Sequence, residues 1–225
     1  MSAVVTADCQ TAGRGRMGRS FQSPPGLGLY LSVLWRTGLR TDTLPMITPL
    51  AAVAVCRAVE SVCALRCGIK WPNDLVLGGR KVCGILTELA FRPDGTPDWV
   101  VVGIGVNVSQ TAADFSPDVA AMATSLRTES GHEVSRDALA RALVGELTEL
   151  HDRVLPDPAL WRADYCARCV NIGQRVRLER GGQVRDAAAE GIDPYYGLTV
   201  RYDDGTSETL RGGEVSVRGL YGYSE

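Results

Sequence analysis

Residues 69–108, IKWPNDLVLGGRKVCGILTELAFRPDGTPDWVVVGIGVNV, decide the fold class of this 225-residue chain. Three apolar runs stand out: Ile69–Val76, interrupted by Pro72-Asn73-Asp74, then Lys81–Phe91, then Trp99–Val108. Each has the length and the aliphatic content of a strand. The gaps are short and hold Gly78-Gly79 and Pro93-Asp94-Gly95. Such gaps close hairpins, whereas a parallel pair needs a crossover of about a dozen residues or more. The stretch predicts an antiparallel meander, not a series of parallel crossovers.

Toward the N-terminus, Leu44 to about Leu65 has apolar residues at helical spacing (Ala51, Val55, Val59, Val62), with Pro45 and Pro49 near its start. Cys56 and Cys63 fall on the same helix and read as core. Leu27–Trp35 and residues 2–7 read as strands. Toward the C-terminus, Ser135 is placed to cap a helix carrying Leu139, Leu143, Leu147, Leu150 and Val154, and Pro158 opens another that runs to about Val170. From Gly173 the pattern changes to short alternating segments, Arg175–Leu178, Leu198–Tyr202 and Glu214–Arg218. They are separated by Gly181-Gly182, Asp203-Asp204-Gly205 and Gly212-Gly213. This predicts a small all-β barrel of roughly 50 residues and a boundary near Asn171, giving domains 1–170 and 171–225.

With 45% apolar and 22% charged residues the composition is that of a globular protein, and the net charge of -2 argues against a general nucleic-acid-binding surface. Seven cysteines, an odd number in apolar surroundings, point to reduced thiols and a cytoplasmic setting. Cys166 and Cys169 form a C-x-x-C pair without a second pair, and with only two histidines in the chain no metal site is expected. No signal peptide is expected, and no segment reads as long and apolar enough to span a membrane.

Chemistry concentrates in three places. In residues 8–28, Arg14, Arg16 and Arg19 alternate with Gly13, Gly15 and Gly18, and no carboxylate lies between Asp8 and Asp42. A flexible backbone bearing concentrated positive charge suits an anion. The glycines spell G-x-G-x-x-G, but Ser20-Phe21-Gln22-Ser23-Pro24-Pro25 follows where a dinucleotide fingerprint needs a helix, which argues against that reading. Lys70 ends an apolar run before a rigid Pro-Asn-Asp turn, and Lys81 stands ready to bring a second cation. Gly103 and Gly105 inside an apolar strand suggest close approach of a ligand or a bulge, with Asn107 at its end.

Taken together, residues 10–19 (QTAGRGRMGR), 70–75 (KWPNDL), 81–88 (KVCGILTE), 103–107 (GIGVN) and 212–218 (GGEVSVR) resemble the biotin protein ligases, in the right order and over nearly the whole chain. The resemblance implies an α+β fold: a mixed, mostly antiparallel sheet flanked by helices, like the class II synthetases, with a C-terminal SH3-like barrel. It implies activation of biotin by ATP, with Mg2+, to biotinyl-5'-AMP and pyrophosphate, then transfer to a lysine of a biotin carboxyl carrier protein domain. Gln10 would contact the ureido ring, Gly13 and Arg14 would line the biotin site, and Gly103 and Gly105 would let the strand lie against biotin. Arg16 and Arg19 would serve the phosphates, Arg14 and Lys81 would add charge for ATP, and Phe21 would form an apolar lid. Lys70 would act at the carboxylate and α-phosphate, and Asn107 would help hold ATP.

Family members usually begin with a further strand and helix that bind the ureido ring. The chain begins just after that point, which sets the expectation that Met1 is internal or a misassigned start and that biotin binds poorly. Phe21 stands where the family usually has tryptophan. No DNA-binding helix-turn-helix is read here, so no operator binding is expected; a homodimer is compatible with the sequence. The alternatives are a lipoate-type ligase and a non-catalytic biotin or nucleotide binder.

Overall fold

A computed structural model describes residues 3–36, 40–180, 183–211 and 216–219. Ala3–Ala7 (β1), Gly28–Arg36 (β2), Gly68–Lys70 (β3), Asp74–Leu77 (β4), Arg80–Phe91 (β5) and Pro97–Asn107 (β6) form a six-stranded sheet in the order β1-β2-β6-β5-β4-β3. Every neighbouring pair is antiparallel, as the short gaps require for β3 to β6. Alternation gives the sheet two unlike faces. On β6, Val100, Val102, Ile104 and Val106 are buried, while Val101, Gly103 and Gly105 point the other way and are only partly covered.

The helices lie on the apolar face. Ile47–Cys63 (α1) is buried along nearly its whole length and packs on Arg136–Glu149 (α4) and on β3, β4 and β5. Between them come two short helices, Pro117–Ala120 (α2) and Leu126–Ser130 (α3), and after them Arg162–Arg168 (α5). Ser135 caps α4 as expected, its Oγ accepting from the Ala138 N–H at 3.2 Å. The apolar series continues past α4 through a wider turn at Leu150–Val154.

Several boundaries depart from the sequence reading. The first helix starts at Ile47 and not Leu44, because Pro45, lacking an N–H, sits in a 3-10 turn at Thr41–Met46. The helix expected from Pro158 is a 3-10 turn to Trp161 followed by α5. The run 69–76 is two strands, since Trp71-Pro72-Asn73 reverses the chain and pairs β3 with β4. The stretch Thr41–Cys63 is, contrary to expectation, long and apolar enough to cross a membrane; here most of it is buried inside the protein.

Residues Arg175–Arg180 (β7), Gln183–Ile192 (β8), Leu198–Tyr202 (β9), Ser207–Leu210 (β10) and Ser216–Gly219 (β11) form a second, five-stranded antiparallel sheet. β8 and β10 escape the sequence reading. The buried positions of β8 include Ala187 and Ala189, too small to register as alternation, and β10 is mostly polar. The turns at Gly181-Gly182 and Gly212-Gly213, and the strand residues Glu214 and Val215, lie outside the described residues.

Trp71 joins the two sheets. Its backbone N–H donates to Asn171 Oδ1 at 2.7 Å and its indole Nε1–H to the Tyr196 carbonyl at 2.9 Å. Tyr196 in turn donates to the Pro158 carbonyl and meets Tyr165 edge to face. All seven cysteines are free; Cys9 is exposed, Cys166 is half-buried and the rest are buried. Burial pushes the Cys83 thiol well above its ordinary pKa, which keeps it protonated and unreactive.

Candidate active site

The face of the sheet away from the helices carries a cleft of about 270 Å³. Its floor is unusual for a sheet centre. Gly84 of β5 lies directly opposite Gly105 of β6, and Gly103 pairs with Leu86 on one side and Ser32 on the other. Three glycines side by side leave bare backbone, where a flat group can lie in contact with peptide planes.

Residues 10–23 fold over this floor as a loop closed by its own backbone. Phe21 N–H donates to the Gly13 carbonyl at 2.9 Å, Gly15 N–H to the Arg19 carbonyl at 2.7 Å, and Gln10 N–H to the Ser23 carbonyl at 3.2 Å. Met17 and Gly18 both take positive φ at the tip. Gly13 is required by packing, for a Cβ there would strike the Phe21 carbonyl. The Phe21 ring rests on the floor so closely that a Cβ on Gly105 would come within 2.5 Å of it.

Three cations converge here. Arg14 reaches Glu88 at 3.3 Å across the mouth, and both side chains remain well exposed. Arg16 is more deeply placed and donates to Asn73 Oδ1 at 2.8 Å. Burial lowers its pKa, against an opposing pull from Asp74, so its guanidinium is partly stripped of water and strongly favours a nearby anion. The Lys81 ammonium lies over Gly84 and pairs with Asp74 at 2.8 Å.

Lys81 owes its direction to an irregularity. On β5, Gly84, Leu86 and Glu88 face the cleft, so strict alternation would turn residue 81 toward the helices. The register instead passes from Leu75↔Cys83 to Val76↔Lys81, leaving Val82 as an extra residue. Val82 and Cys83 are consequently both buried, and Lys81 swings to the cleft side. A second clamp fixes its backbone: Lys81 N–H donates to the Met122 carbonyl and Thr124 N–H to the Lys81 carbonyl, each at 2.8 Å.

The sequence-selected residues divide accordingly. Gln10, Arg14, Arg16, Phe21, Lys81, Gly103 and Gly105 line the cleft. Gly13 shapes the loop from behind. Arg19 is exposed and contributes its backbone to loop closure. Lys70, expected at the centre of the chemistry, is not among the lining residues; it lines a separate hollow with Cys169, Val170 and Asn171 at the junction of the sheets. The β3–β4 turn carries it there. Asn107 is buried, donating to the Thr124 carbonyl at 3.0 Å and accepting from Gln110 at 3.4 Å, so it steadies the segment that clamps Lys81. Glu88, Gly84 and the side chain of Asn73 line the cleft without having been singled out; the polar pair after Pro72 and the glycine opposite Gly105 were the available signals.

Comparison with known proteins agrees with this geometry. Residues 1–107 match the Biotin/lipoate A/B protein ligase family, and residues 172–218 match the Biotin protein ligase C terminal domain. The bifunctional ligase/repressor BirA of Bacillus spizizenii is 42% identical over 133 residues, 59% of this chain and 41% of that protein, so the chain spans less than half of that relative's length. The biotin acetyl-CoA-carboxylase ligase of Mycobacterium tuberculosis is 36% identical over 206 residues, covering 84% of this chain and 70% of that protein. Among solved structures, the biotin protein ligase of Aquifex aeolicus in complex with biotin and ATP superposes with a TM-score of 0.78 at 26% identity, covering 96% of this chain and 88% of that one. Sequence along most of the chain, both sheets and the order of the motifs thus converge: the chain belongs to the biotin protein ligase family.

Proposed function

We propose that this chain activates biotin with ATP and transfers the biotinyl group to a lysine of a biotin carboxyl carrier domain. One observation carries the reading: three cations, Arg14, Arg16 and Lys81, surround a floor of bare glycine backbone. In the first step a biotin carboxylate oxygen bonds to the α-phosphorus while the bond to the β-phosphate oxygen breaks and pyrophosphate leaves. Two anionic reactants must approach each other, so fixed positive charge in a partly dry cleft lowers the barrier. Lys81 takes the position at the carboxylate and α-phosphate, Arg14 and Arg16 face the phosphates, and Gly103 and Gly105 receive the ring. In the second step a carrier lysine amine attacks the acyl carbon and AMP departs. The loop 10–23 covers the water-labile anhydride in the interval.

Magnesium would arrive with the polyphosphate, which needs only one or two protein carboxylates to hold it. Among the described residues no cluster of three or more ligating side chains exists, and Glu88 at the cleft is the carboxylate best placed to assist. The match of residues 172–218 to the biotin-ligase C-terminal domain favours biotin over lipoate. Buried free thiols favour a cytoplasmic setting.

Mass spectrometry of a carrier domain incubated with the protein, ATP and either biotin or lipoate tests the proposal. A gain of one biotinyl group is expected; lipoylation or no transfer would overturn it. The floor has its own test. Gly103→Ala sets a methyl group on the floor where the ring would lie, with only ordinary contacts to the Leu86 carbonyl and Ser32, and one methylene in a tight pocket is worth roughly 10- to 200-fold. Biotin affinity by calorimetry is expected to fall by that factor with the circular dichroism unchanged. Unaltered affinity would place biotin elsewhere.

A further inference from the structure

Asn73 stands at an unusual crossing. Its Oδ1 accepts from Arg16 of the loop at 2.8 Å, and its Nδ2 donates to Asp74 Oδ1 at 2.9 Å and to the Ile85 carbonyl at 3.3 Å. The same Asp74 oxygen accepts from Lys81 at 2.8 Å. The chemistry fixes the amide's orientation: a guanidinium only donates, and a carboxylate and a carbonyl only accept. An amide, with its oxygen and nitrogen on opposite sides, can face both ways at once. Its own backbone is anchored as well, the Asn73 carbonyl accepting from Ile85 N–H at 3.0 Å.

We propose that Asn73 is the latch of the arginine loop, a positioning residue that joins Arg16 to the Asp74–Lys81 pair and so sets how well the activated intermediate is retained. Its part in retention rests on the function proposed above. The latch itself consists of contacts within the protein and needs no substrate. Closing the loop and fixing the lysine become one event, because a single side chain serves both.

Two substitutions separate the two ends. Asn73→Ala removes acceptor and donor together. Asn73→Asp keeps an acceptor for Arg16 but sets a second carboxylate beside Asp74 and removes the donors.

The first readout needs no substrate: tryptic cleavage after Arg14, Arg16 and Arg19, followed by mass spectrometry. Asn73→Ala is expected to be cut roughly 10- to 100-fold faster than the parent, the range for loss of one charge-assisted hydrogen bond, and Asn73→Asp at close to the parent rate. The second readout is free biotinyl-5'-AMP released per pyrophosphate formed. It is expected to rise by the same factor in Asn73→Ala and to stay near the parent value in Asn73→Asp, whose pyrophosphate formation slows instead. Parental cleavage in Asn73→Ala, or equally fast cleavage in both variants, would overturn the latch; if Asn73→Ala does not fold, Asn73→Leu, which also removes acceptor and donors, takes its place under the same two criteria. Absence of biotin-dependent pyrophosphate in the parent would sink the proposed function, and the cleavage rates would still judge the latch.

Discussion

Lys81→Ala is expected to lower biotin-dependent pyrophosphate formation by about 10²- to 10³-fold, the effect of removing one preorganised charge-stabilising group from an active site. Its ammonium lies over the glycine floor, held by Asp74 and by a backbone clamped between Met122 and Thr124. A charge already positioned needs no reorganisation when negative charge shifts at phosphorus. Folding is expected to survive, because the side chain is partly exposed and the bulge is maintained by backbone. Lys70→Ala supplies the contrast: it lines the other hollow, so pyrophosphate formation should change by no more than a few-fold. Single-turnover pyrophosphate release in both variants checks the assignment. A large loss in Lys70→Ala together with a small one in Lys81→Ala would return the role to Lys70.

Trp71→Ala should have the largest effect on stability. The indole is 3% exposed in the main core and its Nε1–H reaches across to the Tyr196 carbonyl of the second sheet. Truncating a buried aromatic side chain costs about 3–5 kcal/mol, and a chain of this size loses roughly 2–4 °C in Tm per kcal/mol. A fall of roughly 6–20 °C in thermal unfolding is therefore expected. Trp71→Phe separates packing from hydrogen bonding: it refills most of the space but leaves the Tyr196 carbonyl without its indole donor, for about 1–3 kcal/mol. Equal Tm values for Trp71→Phe and the parent would show that the hydrogen bond contributes nothing to the junction.

What the sequence determined by itself is what local chemistry controls. The two short gaps between apolar runs force antiparallel pairing of β4, β5 and β6, since no crossover fits in them, whereas the pairing of β2 with β6 is set by tertiary structure. Ser135 caps its helix because the cap needs only a hydroxyl three residues before a free N–H. The alternation of arginine and glycine before Phe21 already specifies a tight cationic loop. Gly103 and Gly105 announce a bare strand.

Tertiary structure alone decided which charged groups meet. Lys70 and Lys81 look equivalent along the chain, each flanking a turn and eleven residues apart. The turn at Trp71-Pro72-Asn73 sends one to the junction of the sheets, and the extra residue Val82 reverses the facing of the other. Nothing local marks that bulge; it appears only when β5 is aligned with β4. Asn107 is likewise set by a distant segment, since the Thr124 carbonyl that takes its amide proton lies seventeen residues on. Periodicity assigns a face to a side chain only while the register is regular, and at this site one extra residue settles the matter.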